Sequence, residues 1–197
     1  TALSVLARES VNMRLMGLET LSGIPGTVGG AVAMNAGAYG AEIRHIIKSV
    51  RILKNGRVLD VETKKTDFGN RTSKYAAPDV VVLSATFQLE HDDGGAKERM
   101  LETTRQRKEK QPLAWPSAGS VFKRPNGRFA GALIEGAGLK GFSVGGAQVS
   151  PMHAGFIVNN GNATERDVLE LISIIQQRVF DETGVQLERE VKLLSEL

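Results

Sequence analysis

Residues 17 to 43, GLETLSGIPGTVGGAVAMNAGAYGAEI, constrain this chain more than any other stretch. Gly17, Gly23, Gly26, Gly29, Gly30, Gly37 and Gly40 stand there among small, largely uncharged side chains. Glycine reaches positive φ without steric cost and carries no side chain to hold a ligand away, and Pro25 fixes one φ in the middle of the turn. Ser22, Thr27 and Asn35 add short donors and acceptors beside bare backbone amides, a composition suited to phosphate oxygens or to the polar edge of a flat ring. A tightly packed turn would explain one Gly-x-x-Gly, but the density here exceeds what a turn needs. The common phosphate loops are absent. There is no Gly-x-x-x-x-Gly-Lys-Ser/Thr, and no βαβ unit with a ribose-binding acid about 20 residues on frames a dinucleotide fingerprint.

At 197 residues the chain can form one large domain or two small ones, and a chain of this length buries roughly 70% of its unfolded surface. It has no cysteine, hence no disulfide framework, thiol nucleophile or cysteine metal site, which fits a reducing compartment. No apolar run reaches the roughly 18 residues of a membrane span, and TALSVLARESVNMRLMG lacks the basic-then-apolar order of a signal peptide. A soluble, cytoplasmic protein is expected. The formal charge is only +3, yet Arg105, Arg107, Lys108 and Lys110 fall together, followed by Lys123, Arg124 and Arg128. Aromatic residues are 5% of the chain and no nucleic-acid module is recognisable. The basic clusters read as a solvated helix face or as a pocket for an anionic small molecule.

Residues 1 to 15 carry the apolar patch of a helix. SVRILKNGRVLDVETK reads as a β-hairpin with Val50, Ile52, Val58 and Val61 alternating about Asn55-Gly56, a dipeptide that favours a type I′ turn. DVVVLSATFQLE reads as a strand buried at its start by the Val80 to Leu83 run. The polar segment TDFGNRTSKYAAP carries Arg71, AKERMLETTRQRKEK is a charged helix, and the segment from Pro112 to Pro116 reads as a linker. Beyond it the pattern predicts a strand at GSVFKRP, a helix at FAGALIEGAG, a strand at AGFIVNNG and a long helix from Thr164 to about Thr183. A Thr164/Asp167 capping box and Gly184 bracket that helix, and Val168, Leu171, Ile172, Ile175 and Val179 recur at helical spacing as core. A final strand, VQLEREVKLL, would alternate Val185, Leu187, Arg189 and Val191 against Gln186, Glu188, Glu190 and Lys192. Of the histidines, His45 is expected at a strand edge and His91 in a turn; neither they nor any acid cluster shows metal-ligand spacing.

Ser120 at a strand start, Arg71 in a loop and Glu190 on the last strand each stand in a short, small-residue context. Singly, each could be a turn serine, a surface arginine or a solvated glutamate.

The motifs GLETLSGIPGTVGGAVAMNAGAYG, FGNRTSKY, PSAGSVFKRP, GLKGFSVGGAQVSPMHAGFIVNNGNAT and LEREVKLL, in this order, resemble the UDP-N-acetylenolpyruvoylglucosamine reductase (MurB) family, type II, across nearly the whole chain. The resemblance implies an α+β fold. Residues 1–112 would be the second lobe of a two-lobed FAD-binding region of the FAD-linked oxidase type, an antiparallel sheet with helices whose first lobe lies outside this chain. Residues 113–197 would be a smaller α+β substrate-binding domain. The implied activity is NADPH-dependent, FAD-mediated reduction of the enolpyruvyl group of UDP-N-acetylglucosamine enolpyruvate to UDP-N-acetylmuramate in peptidoglycan precursor synthesis, by a monomer without nucleic-acid or membrane partners. Ser120 would be the proton donor, with Arg71 and Glu190 flanking the reacting carbons. Gly23, Ile24, Pro25, Gly26, Gly29, Gly30, Asn35 and Gly37 would lie against FAD, and Lys110, Arg124 and His153 would contact the UDP-sugar. Arg124 stands where other family members have asparagine. A non-catalytic sugar-nucleotide binding module is the alternative, and a different flavin oxidoreductase a second one.

Overall fold

The structure, a computed structural model, describes residues 1–194. It divides into two compact units, Thr1–Arg107 and Lys108–Leu197. Mixed helices and antiparallel sheets make it an α+β chain.

The first unit opens with α1 (Leu3–Asn12), which buries Leu3 and Ala7, followed by β1 (Leu15–Met16). Inside the glycine-rich stretch runs a short helix, α2 (Val28–Ala33), capped by the Thr27 hydroxyl, which accepts the Gly30 N–H at 3.1 Å. A small hairpin, β2 (Gly37–Ala38) and β3 (Ala41–Glu42), ends the stretch. Next come β4 (Ile47–Lys54), β5 (Arg57–Glu62), β6 (Phe68–Gly69), β7 (Thr72–Ser73), β8 (Val80–Phe87) and β9 (Glu90–His91), then α3 (Ala96–Lys110). The main sheet is antiparallel in the order β5-β4-β8. Asn55 (φ 49°) and Gly56 (φ 73°) join β4 to β5 with positive φ at both positions, as a type I′ turn requires. Leu18, Leu21, Val32, Ile43, Val50 and Ile52 are among the residues of this unit's core.

Several local expectations change. The Val80 to Leu83 run is not buried throughout: Val81 and Leu83 are 55% and 49% exposed, because a strand's pleat sends alternate side chains to opposite faces and only one face meets the core. Val58 is exposed as well, lying on the outer strand β5. His45 ends a 3₁₀ turn (Ile43–His45), and His91 belongs to β9, paired with Leu15 of β1.

The second unit contains β10 (Ser117–Ser120), α4 (Ala130–Gly136), β11 (Ser143–Val144), β12 (Ala147–Val149), β13 (Phe156–Asn159) and α5 (Glu165–Thr183). Its sheet is antiparallel in the order β10-β13-β12-β11. The capping box of α5 forms in both directions, and Gly184 closes the helix at φ 70°. The stripe Leu171, Ile172, Ile175 and Val179 is buried with Ile134, Leu139, Val149 and Leu187. The expected last strand does not form a ladder. It makes one isolated bridge, Phe122 with Arg189, while its alternation persists: Leu187 is buried, Val185 and Val191 pack on the core, and Gln186 and Glu188 face outward. The hairpin of β11 and β12 went unread in the sequence, because its two- and three-residue strands are too short to show a period. The strand expected at residues 119–125 begins earlier, at Ser117, and ends at Ser120.

Candidate active site

In the first unit the glycine-rich stretch is held from several sides. Glu19, whose side chain is only 8% exposed, accepts the Gly17 N–H and Arg99 Nε (3.0 Å), and Arg99 also forks onto Asp93. Asn35 is 1% exposed and sits at φ 43°. Its amide donates to Glu42 Oε2 and the Gly69 carbonyl, both at 2.9 Å, and its Oδ1 accepts the Arg44 N–H at 3.1 Å. The side chain of Asn35 is thus occupied in tying loops together, so a contact from this residue to a ligand would come from its backbone. Arg71 lies in the two-residue turn between β6 and β7 at φ 55°. A Cβ placed on Gly37 would stand 3.2 Å from Arg71 Nη1, 2.7 Å from Glu42 Cγ and 2.9 Å from the Ala41 carbonyl. The fold therefore brings Arg71 onto the glycine-rich stretch and leaves no room for a side chain at Gly37.

Gly26, at φ 132°, has open space where a side chain would be. Pro25 is exposed, Ile24 packs against the core, and Gly29 and Gly30 lie within α2. Gly23 lies directly under the Arg107 side chain. The neighbouring Ser22 Oγ is enclosed and has no hydrogen-bond partner. Bare backbone at Gly26 and an enclosed hydroxyl still lacking a partner suit a polar ligand such as FAD against this stretch, whereas Gly37 is filled by the protein's own side chains. Nearby, burial raises the Asp67 pKa, but the Lys74 ammonium at 2.8 Å, the Lys64 N–H and the Tyr75 hydroxyl together hold it below the usual carboxylate value.

In the second unit the backbone that follows Ser120 pairs with the segment that carries Glu190. The Glu190 N–H donates to the Val121 carbonyl at 2.8 Å and the Lys123 N–H to the Glu188 carbonyl at 2.9 Å. This backbone pairing sets Glu190 across from the residue that follows Ser120. Ser120 is exposed, follows Gly119 at φ 89°, and has its Oγ at 3.4 Å from the Phe122 carbonyl. A hydroxyl so loosely held can turn toward a substrate.

His153 is partly buried, its ring edge-on to Phe156 at 4.9 Å between centroids. Its Nδ1 accepts the Gly155 N–H at 3.0 Å, so in the neutral ring Nε2 carries the proton. Burial pulls its pKa below the ordinary histidine value. Arg124 stacks its guanidinium 3.9 Å above the Phe129 ring, and Lys110 ends α3 exposed. A cavity of about 420 Å³ is walled by Leu113, Trp115, Pro151 and Met152, with Lys108, Gln148 and Ser150 also on its lining. A second, of about 440 Å³, lies along Ser117, Ala118, Val121 and Val191. The sequence reading did not single out Trp115 or Met152, although a tryptophan inside a proline-bracketed segment was a usable signal. Among the described residues no cluster of histidines and acids could hold a metal, and no helix is long and apolar enough to cross a membrane.

Residues 111–194 match the family model for the C-terminal domain of UDP-N-acetylenolpyruvoylglucosamine reductase, and residues 2–62 match that for an FAD binding domain. The crystal structure of the UDP-N-acetylenolpyruvylglucosamine reductase (MurB) from Thermus caldophilus is 38% identical and superposes with a TM-score of 0.82, over 98% of this chain and 69% of that one. The chain belongs to the UDP-N-acetylenolpyruvoylglucosamine reductase family. Curated family members include the reductase of Caldanaerobacter subterraneus subsp. tengcongensis, 48% identical over 99% of this chain, and that of Clostridium botulinum strain Hall, 46% identical over 98%. The chain spans 65% and 64% of the length of these two relatives.

Proposed function

We propose that this chain serves the NADPH-dependent, FAD-mediated reduction of the enolpyruvyl group of UDP-N-acetylglucosamine enolpyruvate to UDP-N-acetylmuramate, in peptidoglycan precursor synthesis by a monomeric, cytoplasmic enzyme. The observation that carries the reading is the pairing of residues 121–123 with 188–190, which sets Glu190 beside the strand end that presents Ser120. FAD, when bound, supplies to the terminal methylene carbon the hydride that NADPH provides. Hydride arrival leaves carbanion or enolate character next to the substrate carboxylate. Ser120 then gives its hydroxyl proton to that carbon. A serine hydroxyl is a poor acid toward most bases, but a carbanion is basic enough to take it, and such general-acid help is typically worth about 10²- to 10⁴-fold.

Arg71 supplies positive charge beside the glycine-rich stretch, where a preorganised donor stabilises developing negative charge by about 3 kcal/mol. Glu190 is set across from Val121, beside the strand end that presents Ser120. Gly23, Ile24, Pro25, Gly26, Gly29, Gly30, Asn35 and Gly37 form the stretch that lies against FAD, with bare backbone at Gly26. In the second unit the cavity faced by Trp115 suits the flat base of the nucleotide, and Lys110, Arg124 and His153 are the substrate-contacting side chains.

Stopped-flow absorbance on the flavin-loaded protein tests the reading. Ser120→Ala should leave flavin reduction by NADPH intact and slow reoxidation by the enolpyruvyl substrate by about 10²- to 10⁴-fold. Equal loss in both half-reactions would remove Ser120 as proton donor. A colourless protein that still bound the UDP-sugar would favour the non-catalytic binding module.

A further inference from the structure

The turn that carries Arg71 is built against local preference. Gly69 and Thr72 pair across β6 and β7, so Asn70 and Arg71 are the two residues that reverse the chain. The left-handed position falls on Arg71, at φ 55°, and not on Asn70, although asparagine enters that region several-fold more readily than most side chains. A residue held there is strained and persists only where its surroundings over-determine it.

Two tethers do so. On the β7 side the buried Ser73 hydroxyl reaches the Val32 and Ala33 carbonyls at the end of α2, at 3.0 and 2.8 Å, and accepts the Tyr75 N–H at 3.2 Å. On the β6 side the Asn35 carboxamide donates to the Gly69 carbonyl at 2.9 Å. The same carboxamide also governs where the guanidinium arrives. It donates to Glu42 Oε2 at 2.9 Å, and its Oδ1 accepts the Arg44 N–H at 3.1 Å, which fixes β3 and the turn after it. Glu42 pairs with Gly37 across the hairpin of β2 and β3, and Gly37 is where an added Cβ would stand 3.2 Å from Arg71 Nη1. One side chain, on a residue only 1% exposed, therefore sets both the turn from which Arg71 springs and the hairpin at which its guanidinium ends. A misplacement of about 1 Å in a group that meets the reacting atoms can cost about 10²-fold in rate.

We propose that Asn35 is a positioning residue for the reaction, its carboxamide holding the Gly69 carbonyl and Glu42 so that the Arg71 guanidinium is set in place before substrate arrives. This rests on the reading of Arg71 as the donor that stabilises developing negative charge, and it gives the Asn35 side chain a duty separate from any contact of its backbone with flavin.

The test uses Asn35→Asp, which keeps the size, the access to positive φ and the oxygen for the Arg44 N–H, and loses both donors. In the flavin-free chain, hydrogen exchange read by mass spectrometry should speed by about 10-fold in peptides spanning residues 68–73, the size of one lost hydrogen bond, while those of α1 and β4 stay unchanged. In stopped-flow absorbance on the flavin-loaded protein, the limiting rate of reoxidation by the enolpyruvyl substrate should fall by about 10- to 100-fold, with reduction by NADPH unchanged. Added to Arg71→Met, Asn35→Asp should slow reoxidation no further, because a residue that acts through Arg71 has no effect once that guanidinium is gone. A general loosening of the unit would slow both half-reactions and add to Arg71→Met. That outcome, reoxidation of Asn35→Asp at the wild-type rate, or unchanged exchange at residues 68–73 overturns the proposal. If Asn35→Asp fails to fold by circular dichroism, Asn35→Gly, which removes the carboxamide at no cost to the positive φ, decides through the same measurements. Reoxidation of Arg71→Met at the wild-type rate would overturn the reading of Arg71 as well; a slow Arg71→Met beside a fast Asn35→Asp overturns only this inference.

Discussion

In the first unit the glycine-rich stretch is pinned by polar groups, whereas in the second unit β10 is carried on an apolar core. Asn35, Glu19 and Ser73 are buried among the loops of the first unit and spend their hydrogen bonds on backbone amides, carbonyls and neighbouring charges. Side-chain clamps of this kind leave the glycine backbone itself bare. In the second unit α5 and the sheet bury a continuous aliphatic cluster, and Ser120 stands exposed at the end of β10. A site that must expose backbone is built with directional bonds. A site that must present one side chain can rest on non-directional packing.

Four measurements would break or sharpen that contrast. Ile175→Ala, in the middle of the fully buried stripe of α5, should cost the second unit about 2–5 kcal/mol in urea unfolding, as large-to-small core changes do. A small loss would mean that packing is not what carries β10. Asn35→Ala should cost the first unit about 1–3 kcal/mol, because the Gly69 carbonyl and Arg44 N–H lose their partner. Asn35→Gly, which keeps the positive φ accessible, should be milder than alanine if backbone conformation contributes to the loss. Thr164→Ala removes the cap of α5 and should cost about 1 kcal/mol by the same measurement, with no effect on the first unit.

The smallest effect concerns pH. Burial holds the folded-state pKa of His153 below its unfolded value, so as pH falls the unfolded chain takes the proton first. The stability that His153 allows is therefore complete above its unfolded pKa of about 6.5 and declines below it. Urea midpoints at neutral and mildly acid pH should fall more for the native chain than for His153→Asn. Parallel declines would show that the imidazole is not the titrating group.

Elements with a local code were legible in the sequence. The Thr164/Asp167 box, the spacing from Leu171 to Val179 and Gly184 specify α5 within the chain's own nearest neighbours, and Asn55-Gly56 does the same for its hairpin. The thread through Val185, Leu187 and Val191 kept its alternation, although its pairing shrank to one bridge. What depended on distant partners was hidden. Asn35 reads as a ligand-facing amide because one acceptor, the Gly69 carbonyl, lies outside the stretch, and the other, Glu42, meets it only once the hairpin of β2 and β3 has folded back. The run from Val80 to Leu83 looked like solid core because composition does not say whether a second layer covers the sheet. Arg107 was read within a basic cluster, on a solvated face or in an anion pocket; only the fold shows which glycine it covers. Ser120 and Glu190 were singled out separately, and the backbone pairing between their segments is information that neither local sequence contains.

The outward row on β8 also bears on how this protein would fail. β8 is an edge of its sheet, and VVVLSATF is an uncharged, β-branched segment without proline that shows Val81 and Leu83 to its surroundings. An edge of that composition is a template onto which a strand of another molecule can add. Heat or denaturant that loosens the first unit would then feed precipitation, and thermal inactivation would be a rate set by concentration and scan speed. A charged side chain in place of Ser84, on this same strand, would act as a gatekeeper and slow that loss without touching the glycine-rich stretch.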